Sequence, residues 1–199
     1  AAGINRLSLG IQSFNDDALK RLGRIHSASE ACLAIETAKT NAFDSINIDL
    51  MYGLPKQTLE SFRQTLETTI RLDPDRIAIY NYAHMPELFK PQRRIEESDL
   101  PSPDEKLNIL QLAIDTLQDA GYHYIGMDHF ARPDDELARA YRDGTMQRNF
   151  MGFTTRAGAD LVGLGCHERS GLQVGLFDAG QTHAQHSVHF LQMRSIGTQ

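Results

Sequence analysis

The chain has 199 residues, 41% of them hydrophobic and 23% charged, and a net charge of −6. That is enough for one globular domain with a real core, and the acidic balance argues against a nucleic-acid surface. No apolar run approaches the ~20 residues of a membrane-spanning helix. The two cysteines, Cys32 and Cys166, are too far apart for a disulfide framework or a local metal motif, so a reducing, cytoplasmic setting is the default.

The sequence lacks an initiator Met and enters a strand almost at once, which reads as the interior of a longer protein. In Asn5 to Gln12, Leu7, Leu9 and Ile11 share one face, and Arg6, Ser8, Gly10 and Gln12 the other. Asn15 or Asp16 can cap a short helix through Leu22. Ser27 and Glu30 form a capping box for a helix to about Lys39 that buries Cys32, Ile35 and Leu33. Residues 45 to 58 repeat the strand pattern: Ile46, Ile48 and Leu50 alternate with Asn47, Asp49 and Met51, and Gly53 and Pro55 end the run. A helix from Thr58 carries Leu59, Phe62, Leu66 and Ile70 at helical spacing, and Asp73-Pro74 stops it. Ile77 and Ile79 mark a third strand, ending in Tyr80-Asn-Tyr-Ala-His84. This alternation predicts parallel α/β structure. After a polar excursion over residues 85 to 101, Ser102-Pro-Asp-Glu105 starts a helix with Leu107, Leu110, Ile114 and Leu117 as its buried stripe and Gly121 beyond its end. Tyr122 to Met127 is a fourth strand. A short helix follows from Asp134 to about Arg142, and Leu161 to Gly165 resembles the start of a further strand or tight turn.

Gln12, Asp49 and the Ala83/His84 loop each sit at or just past the carboxyl end of a predicted strand, and in a parallel barrel those ends converge on one mouth. Asp49 offers two acceptors, suited to a ribose hydroxyl or an ammonium; the alternative is a structural salt bridge or cap. Arg24 can pair with a carboxylate. Asp128-His129 suggests acid–base chemistry, but strand neighbours point to opposite faces, so a positioning role is the alternative. Arg93 and Arg94 read as a solvated face. The last 34 residues hold four of the eight histidines without a clear period, and His183, His186 and His189 at i, i+3, i+6 walk around a helix rather than converging on a metal.

The runs Asn5-Arg-Leu-Ser-Leu-Gly-Ile-Gln12, Asn47-Ile-Asp-Leu-Met-Tyr-Gly-Leu-Pro-Lys-Gln-Thr58, Asn81-Tyr-Ala-His84, Leu100-Pro-Ser-Pro103, Gly126-Met-Asp-His129, Phe130-Ala-Arg-Pro-Asp-Asp-Glu-Leu137 and Arg148-Asn-Phe resemble those of the oxygen-independent coproporphyrinogen III oxidases, of the radical SAM superfamily. The resemblance covers roughly residues 3 to 165. It implies an α/β fold: a partial parallel (β/α) barrel of the radical SAM type, incomplete at both ends. Residues 1–130 would be the C-terminal portion of that barrel, 131–165 a family-specific extension, and 166–199 an atypical tail.

The implied cofactors are S-adenosylmethionine and a 4Fe-4S cluster. The implied reaction uses a 5′-deoxyadenosyl radical to decarboxylate two propionates of coproporphyrinogen III, giving protoporphyrinogen IX in haem biosynthesis. An electron donor and a monomeric state are implied too. Carried over by position, Gln12, Arg24, Asp49 and the backbone of Ala83 match S-adenosylmethionine contacts; no metal ligand is carried over. Arg93, Arg94 and Arg132 are guesses for the substrate carboxylates. A haem-binding chaperone on the same scaffold and an inactive truncated remnant are the alternatives.

The sequence departs from the family twice. The Cys-x-x-x-Cys-x-x-Cys cluster motif is absent, so its ligands are expected upstream and the fragment alone is expected to be inactive. After Gly165, where the family continues with a small-residue run, this chain reads Cys166-His-Glu-Arg-Ser170. Codons for that run, read one base later, can spell Val-Met-Ser-Ala, which suggests a frameshift near residue 166 and a disordered tail. The nucleotide sequence decides this.

Overall fold

The computed structural model describes residues 4–41, 43–149, 152–156, 161–167 and 171–177. Its centre is a five-stranded sheet in the order β1-β2-β3-β5-β4, with β1 Arg6–Gln12, β2 Ser45–Tyr52, β3 Arg76–Asn81, β4 His123–Gly126 and β5 His129–Ala131. β1 pairs with β2, and β2 with β3, in parallel. The three strands therefore end at one edge, as the alternating pattern requires.

The outer face of the sheet is covered by helices α2 (Ala28–Thr40), α3 (Leu59–Leu72) and α4 (Pro103–Asp119). Ile46, Ile48, Leu50, Ile77, Ile79 and Phe130 meet Ile35, Phe62, Leu66, Ile109 and Leu117 in one core. Each such side chain is worth roughly 1.5–3 kcal/mol of burial, so this layer holds the sheet. The helix starts follow local chemistry. Ser27 with Glu30, Thr58 with Ser61, and Ser102 with Glu105 all close reciprocal capping boxes. Asn15 accepts from the Ala18 N–H to start α1 (Asp16–Arg21). Asp73 ends α3 in the left-handed conformation at φ 51°.

Three stripe positions differ from the sequence reading. Leu33, Leu59 and Leu107 are 63%, 43% and 64% exposed. The sheet is covered instead by Ala31, Ile35 and Ala38 in α2, Phe62 and Leu66 in α3, and Ile109, Ala113 and Leu117 in α4.

The larger difference is β5. The sequence reading assigns no strand between Met127 and Asp134; in the structure β5 turns back there and inserts between β3 and β4, antiparallel to both. The reversal is a two-residue turn, with Met127 at φ 46° and Asp128 at φ 67°. Two consecutive positive φ angles are those of a type I′ hairpin, which Asn-Gly normally signals. Met-Asp carries no such signal. Tertiary pairing holds the turn: the Ile79 N–H donates to the Asp128 carbonyl at 2.8 Å.

Beyond the sheet lie α5 (Glu136–Arg142) and the hairpins β6 (Gln147–Asn149) with β7 (Gly152–Thr154) and β8 (Leu161–His167) with β9 (Gly171–Phe177). The start of the tail expected to be disordered thus pairs with the strand before it. His183, His186 and His189 lie outside the described residues. No helix among the described residues is long and apolar enough to cross a membrane.

Candidate functional site

The face of the sheet opposite the helices is polar because the strands alternate. Arg6 and Ser8 on β1, Asn47 and Asp49 on β2, and Arg76, Ala78 and Tyr80 on β3 all lie on it, and the β5 register adds His129 beside Ala78 and Ala131 beside Arg76. The amino ends of the strands are closed by charge pairs. Arg6 Nη2 reaches Glu136 Oε2 at 2.6 Å, and Arg76 Nε bridges both Asp135 oxygens at 2.9 and 3.0 Å. Burial alone would raise the Glu136 pKa, but the Arg6 and Arg76 guanidiniums and the Thr155 hydroxyl more than offset it and lower it below the usual carboxylate value.

Further up, the groups are less completely paired. Asn47 donates to the Ser8 hydroxyl at 2.9 Å and to Asp49 Oδ1 at 2.8 Å. Among the described residues Asp49 has no ion-pair partner. Burial raises its pKa, with the Asn47 hydrogen bond and the nearby His129 pulling the other way. Tyr80 is pushed up to about 12 by burial and by the charges of Asp49 and Asp128, so it stays a phenol. A half-buried carboxylate with one neutral donor retains acceptor capacity for hydroxyl or ammonium donors.

The strand ends place the other predicted residues. Gln12 is buried, in the left-handed conformation at φ 69°, where the β1 register shifts. Its amide folds back over Gly10: a Cβ there would lie 2.8 Å from Gln12 Nε2, so a side chain at position 10 would displace it. Arg24 is exposed in the loop before α2, and its N–H donates to the Leu19 carbonyl at 2.9 Å. His26, in the same loop, reaches the Ile11 carbonyl at 3.3 Å and ties the loop to the end of β1. Ala83 follows β3; its carbonyl accepts from Gln92 Nε2 at 3.0 Å. It is flanked by Tyr82 and His84, whose hydroxyl and Nδ1 are buried without a partner among the described residues. Unsatisfied buried polar atoms beside a strand end are the kind a bound molecule or water completes. Gln12, Asp49 and Ala83 thus lie toward the carboxyl ends of β1, β2 and β3 with the Arg24 loop, and the spare acceptor capacity of Asp49 with the orphaned Tyr82 and His84 atoms is compatible with a polar nucleoside such as that of S-adenosylmethionine.

An iron–sulfur cluster does not fit this chain's residues. It needs closely spaced thiolates. Cys32 lies on α2 against the outer core, its thiol pushed up by burial, and Cys166 is 134 positions away (166 − 32).

Other residues are engaged elsewhere. Arg132 pairs with Asp73 and stacks 4.6 Å over the Tyr122 ring, at the amino-end side of β3 and away from the mouth. Arg93 Nε donates to the Pro86 carbonyl at 3.1 Å on an exposed 3₁₀ turn. A shallow pocket lined by Ser13, Asn15, Asp17, Arg21, Lys56 and Gln57 includes none of the four predicted residues. It reflects packing between the loops after β1 and β2, where Asp99 ties down Arg21 and Lys56. Two features escaped the sequence reading. The charge cluster joins residues far apart in sequence, and the inward placement of His129 depends on β5.

Residues 1–69 match the radical SAM superfamily model. An oxygen-independent coproporphyrinogen III oxidase of Pseudomonas aeruginosa is 55% identical over 163 residues, 82% of this chain and 35% of that protein. The Escherichia coli protein of the same name is 51% identical, over 83% of this chain and 36% of its own length. That of Thermostichus vulcanus is 47% identical, over 86% of this chain and 53% of its own. A solved structure of the coproporphyrinogen III oxidase of Escherichia coli, described as a radical SAM enzyme, superposes with a TM-score of 0.76 at 51% identity, covering 80% of this chain and 37% of that one. The chain thus spans about a third to a half of the length of these relatives.

Proposed function

We propose that this chain, homologous over most of its length to the oxygen-independent coproporphyrinogen III oxidases of the radical SAM superfamily, is the part of such an enzyme that holds S-adenosylmethionine against its substrate. The reaction is the oxygen-independent oxidative decarboxylation of coproporphyrinogen III to protoporphyrinogen IX in haem biosynthesis, with an external electron donor, in a reducing cytoplasm. S-adenosylmethionine held by Gln12, Arg24, Asp49 and the Ala83 backbone would supply hydrogen abstraction from the substrate's propionate chains, while the residues of this chain would not themselves hold the 4Fe-4S cluster. The residues of this chain bind and orient. Asp49 would accept from the ribose hydroxyls, Gln12 would offer an amide over Gly10, Arg24 would meet the methionine carboxylate or a neighbouring polar group, and the Ala83 backbone would contact the cofactor.

The observation that carries this reading is Asp49: a half-buried carboxylate, facing inward, that has no cation among the described residues and one neutral donor. A purely structural acid would be paired, as Asp135 is. The test is S-adenosylmethionine binding by calorimetry, with thermal unfolding in parallel. Asp49→Ala should weaken binding about tenfold or more, as expected for loss of charge-assisted hydrogen bonds, with little loss of stability. Unchanged affinity together with a large loss of stability would make Asp49 a structural residue and sink the reading.

A further inference from the structure

His129 has one ring nitrogen engaged and one free. Nδ1 lies 2.6 Å from the Met127 carbonyl oxygen. A carbonyl can only accept, so Nδ1 carries a hydrogen, and in the neutral ring Nε2 is left as an acceptor lone pair. Among the described residues no hydrogen bond reaches Nε2. That atom faces Gly152, where an added Cβ would lie 3.9 Å away. The ring is held between two others: Tyr80 of β3, edge-on at 6.1 Å, and Phe153 of β7, edge-on at 5.7 Å. Three strands thus fix the orientation of one imidazole.

The groups around it are acceptors and acids. Asp49 lies on the same rung of the sheet, separated from His129 by buried Ala78. Asp128 sits in the adjoining turn, Tyr80 remains a phenol, β7 brings Gly152 and Phe153, and exposed Arg148 of β6 stands opposite Phe153. Among the described residues the cations of this face, Arg6 and Arg76, lie toward the amino ends and are paired with Glu136 and Asp135. A carboxylate ligand at this level would meet Asp49 and Asp128. A ligand bearing hydrogen-bond donors would meet lone pairs and flat aromatic edges.

We propose that His129 Nε2 accepts a hydrogen bond from a pyrrole N–H of the tetrapyrrole bound against this face. The inference rests on the functional reading above and deepens it, since it assigns this end of the site to the ring nitrogens and sends the substrate's acid groups elsewhere. In a porphyrinogen every ring carries an N–H, whereas an oxidised porphyrin keeps it on only half of them. An acceptor here therefore favours the reduced macrocycle, because a site built for a donor rejects a ligand lacking it.

The experiment is anaerobic ultrafiltration binding of coproporphyrinogen III to the full chain, with free ligand oxidised and read by porphyrin fluorescence, between about pH 5.5 and 7.5. Circular dichroism checks the fold of each variant. Wild-type binding should weaken as pH falls, because protonation turns Nε2 from acceptor to donor. His129→Phe keeps the ring packing and loses the acceptor; it should bind about three- to tenfold more weakly at pH 7.5 and lose the pH dependence. His129→Gln restores an acceptor and should recover part of the affinity without the pH dependence. Binding that tightens on acidification, as an imidazolium gripping a carboxylate would, overturns the inference and leaves the functional reading standing. So does a His129→Phe variant that binds like wild type. A wild-type chain that binds S-adenosylmethionine but no coproporphyrinogen III overturns the substrate reading and this inference with it.

Discussion

The two ends of the sheet's inner face use similar residues in opposite ways. At the amino ends, Arg6, Arg76, Asp135 and Glu136 form a closed set of ion pairs, with the Asp135 side chain only 5% exposed. Toward the carboxyl ends, Asp49, Tyr80 and His129 carry polar atoms on the same face, yet Asp49 has one neutral donor and His129 Nε2 has none among the described residues. The pKa directions separate the two ends as well: Glu136 is lowered and Asp49 is raised. Polar groups satisfied within the chain stabilise it. Those left with unmet acceptor capacity do not, and burial of the Asp49 charge costs stability.

The largest stability effect should come from breaking the closed end. Arg76→Ala strands the buried Asp135 carboxylate and should cost about 3 kcal/mol in urea unfolding, because a buried charge left without its partner is expensive. A loss near zero would show that the cluster is not a clasp. The pH dependence sharpens the contrast. Glu136, with a lowered folded pKa, contributes stability that is present above its unfolded value and is lost as pH falls through the folded one. Asp49, with a raised folded pKa, contributes stability that is present below its unfolded value and is lost as pH rises through the folded one. Glu136→Gln should therefore flatten part of the acid-side loss of stability, and Asp49→Asn should flatten part of the opposing trend, both read by thermal unfolding across pH 3 to 7.

A control on the outer layer comes next. Ser102→Ala opens the capping box of α4 and should cost about 1 kcal/mol while leaving ligand binding alone. Smallest of all on the stability scale is Asp49→Asn at pH 7, expected between no change and a gain of about 1 kcal/mol, since it removes a desolvated charge and keeps the shape. A loss as large as that of Arg76→Ala would place Asp49 with the closed end and dissolve the comparison.

Much of the frame was legible in the residues. The alternation in Leu7 to Ile11, Ile46 to Leu50 and Ile77 to Ile79 located three strands, and the Ser27, Thr58 and Ser102 starts located three helices, because both signals act over a few residues. The same alternation placed Asp49 on the inner face. The motif resemblance proposed its partner. What was not legible depended on distant neighbours. Leu33 and Leu107 look like core residues by spacing, yet they are exposed, and the faces that meet the sheet carry Ala31, Ala38 and Ala113 instead. Arg6, Arg76, Asp135 and Glu136 carry no joint signal along the chain.

β5 marks the division most clearly. The chain itself determined a parallel α/β core, capped helices and an acid at the far end of a strand, since hydrophobic period and capping chemistry are local. Tertiary structure alone decided that Met127 and Asp128 adopt a turn their side chains do not favour, that β5 therefore returns beside β3, and that His129 consequently faces inward beside Ala78. A strand's parity is set by the strand it pairs with. Until that partner is known, which of Asp128 and His129 faces the site is undecided.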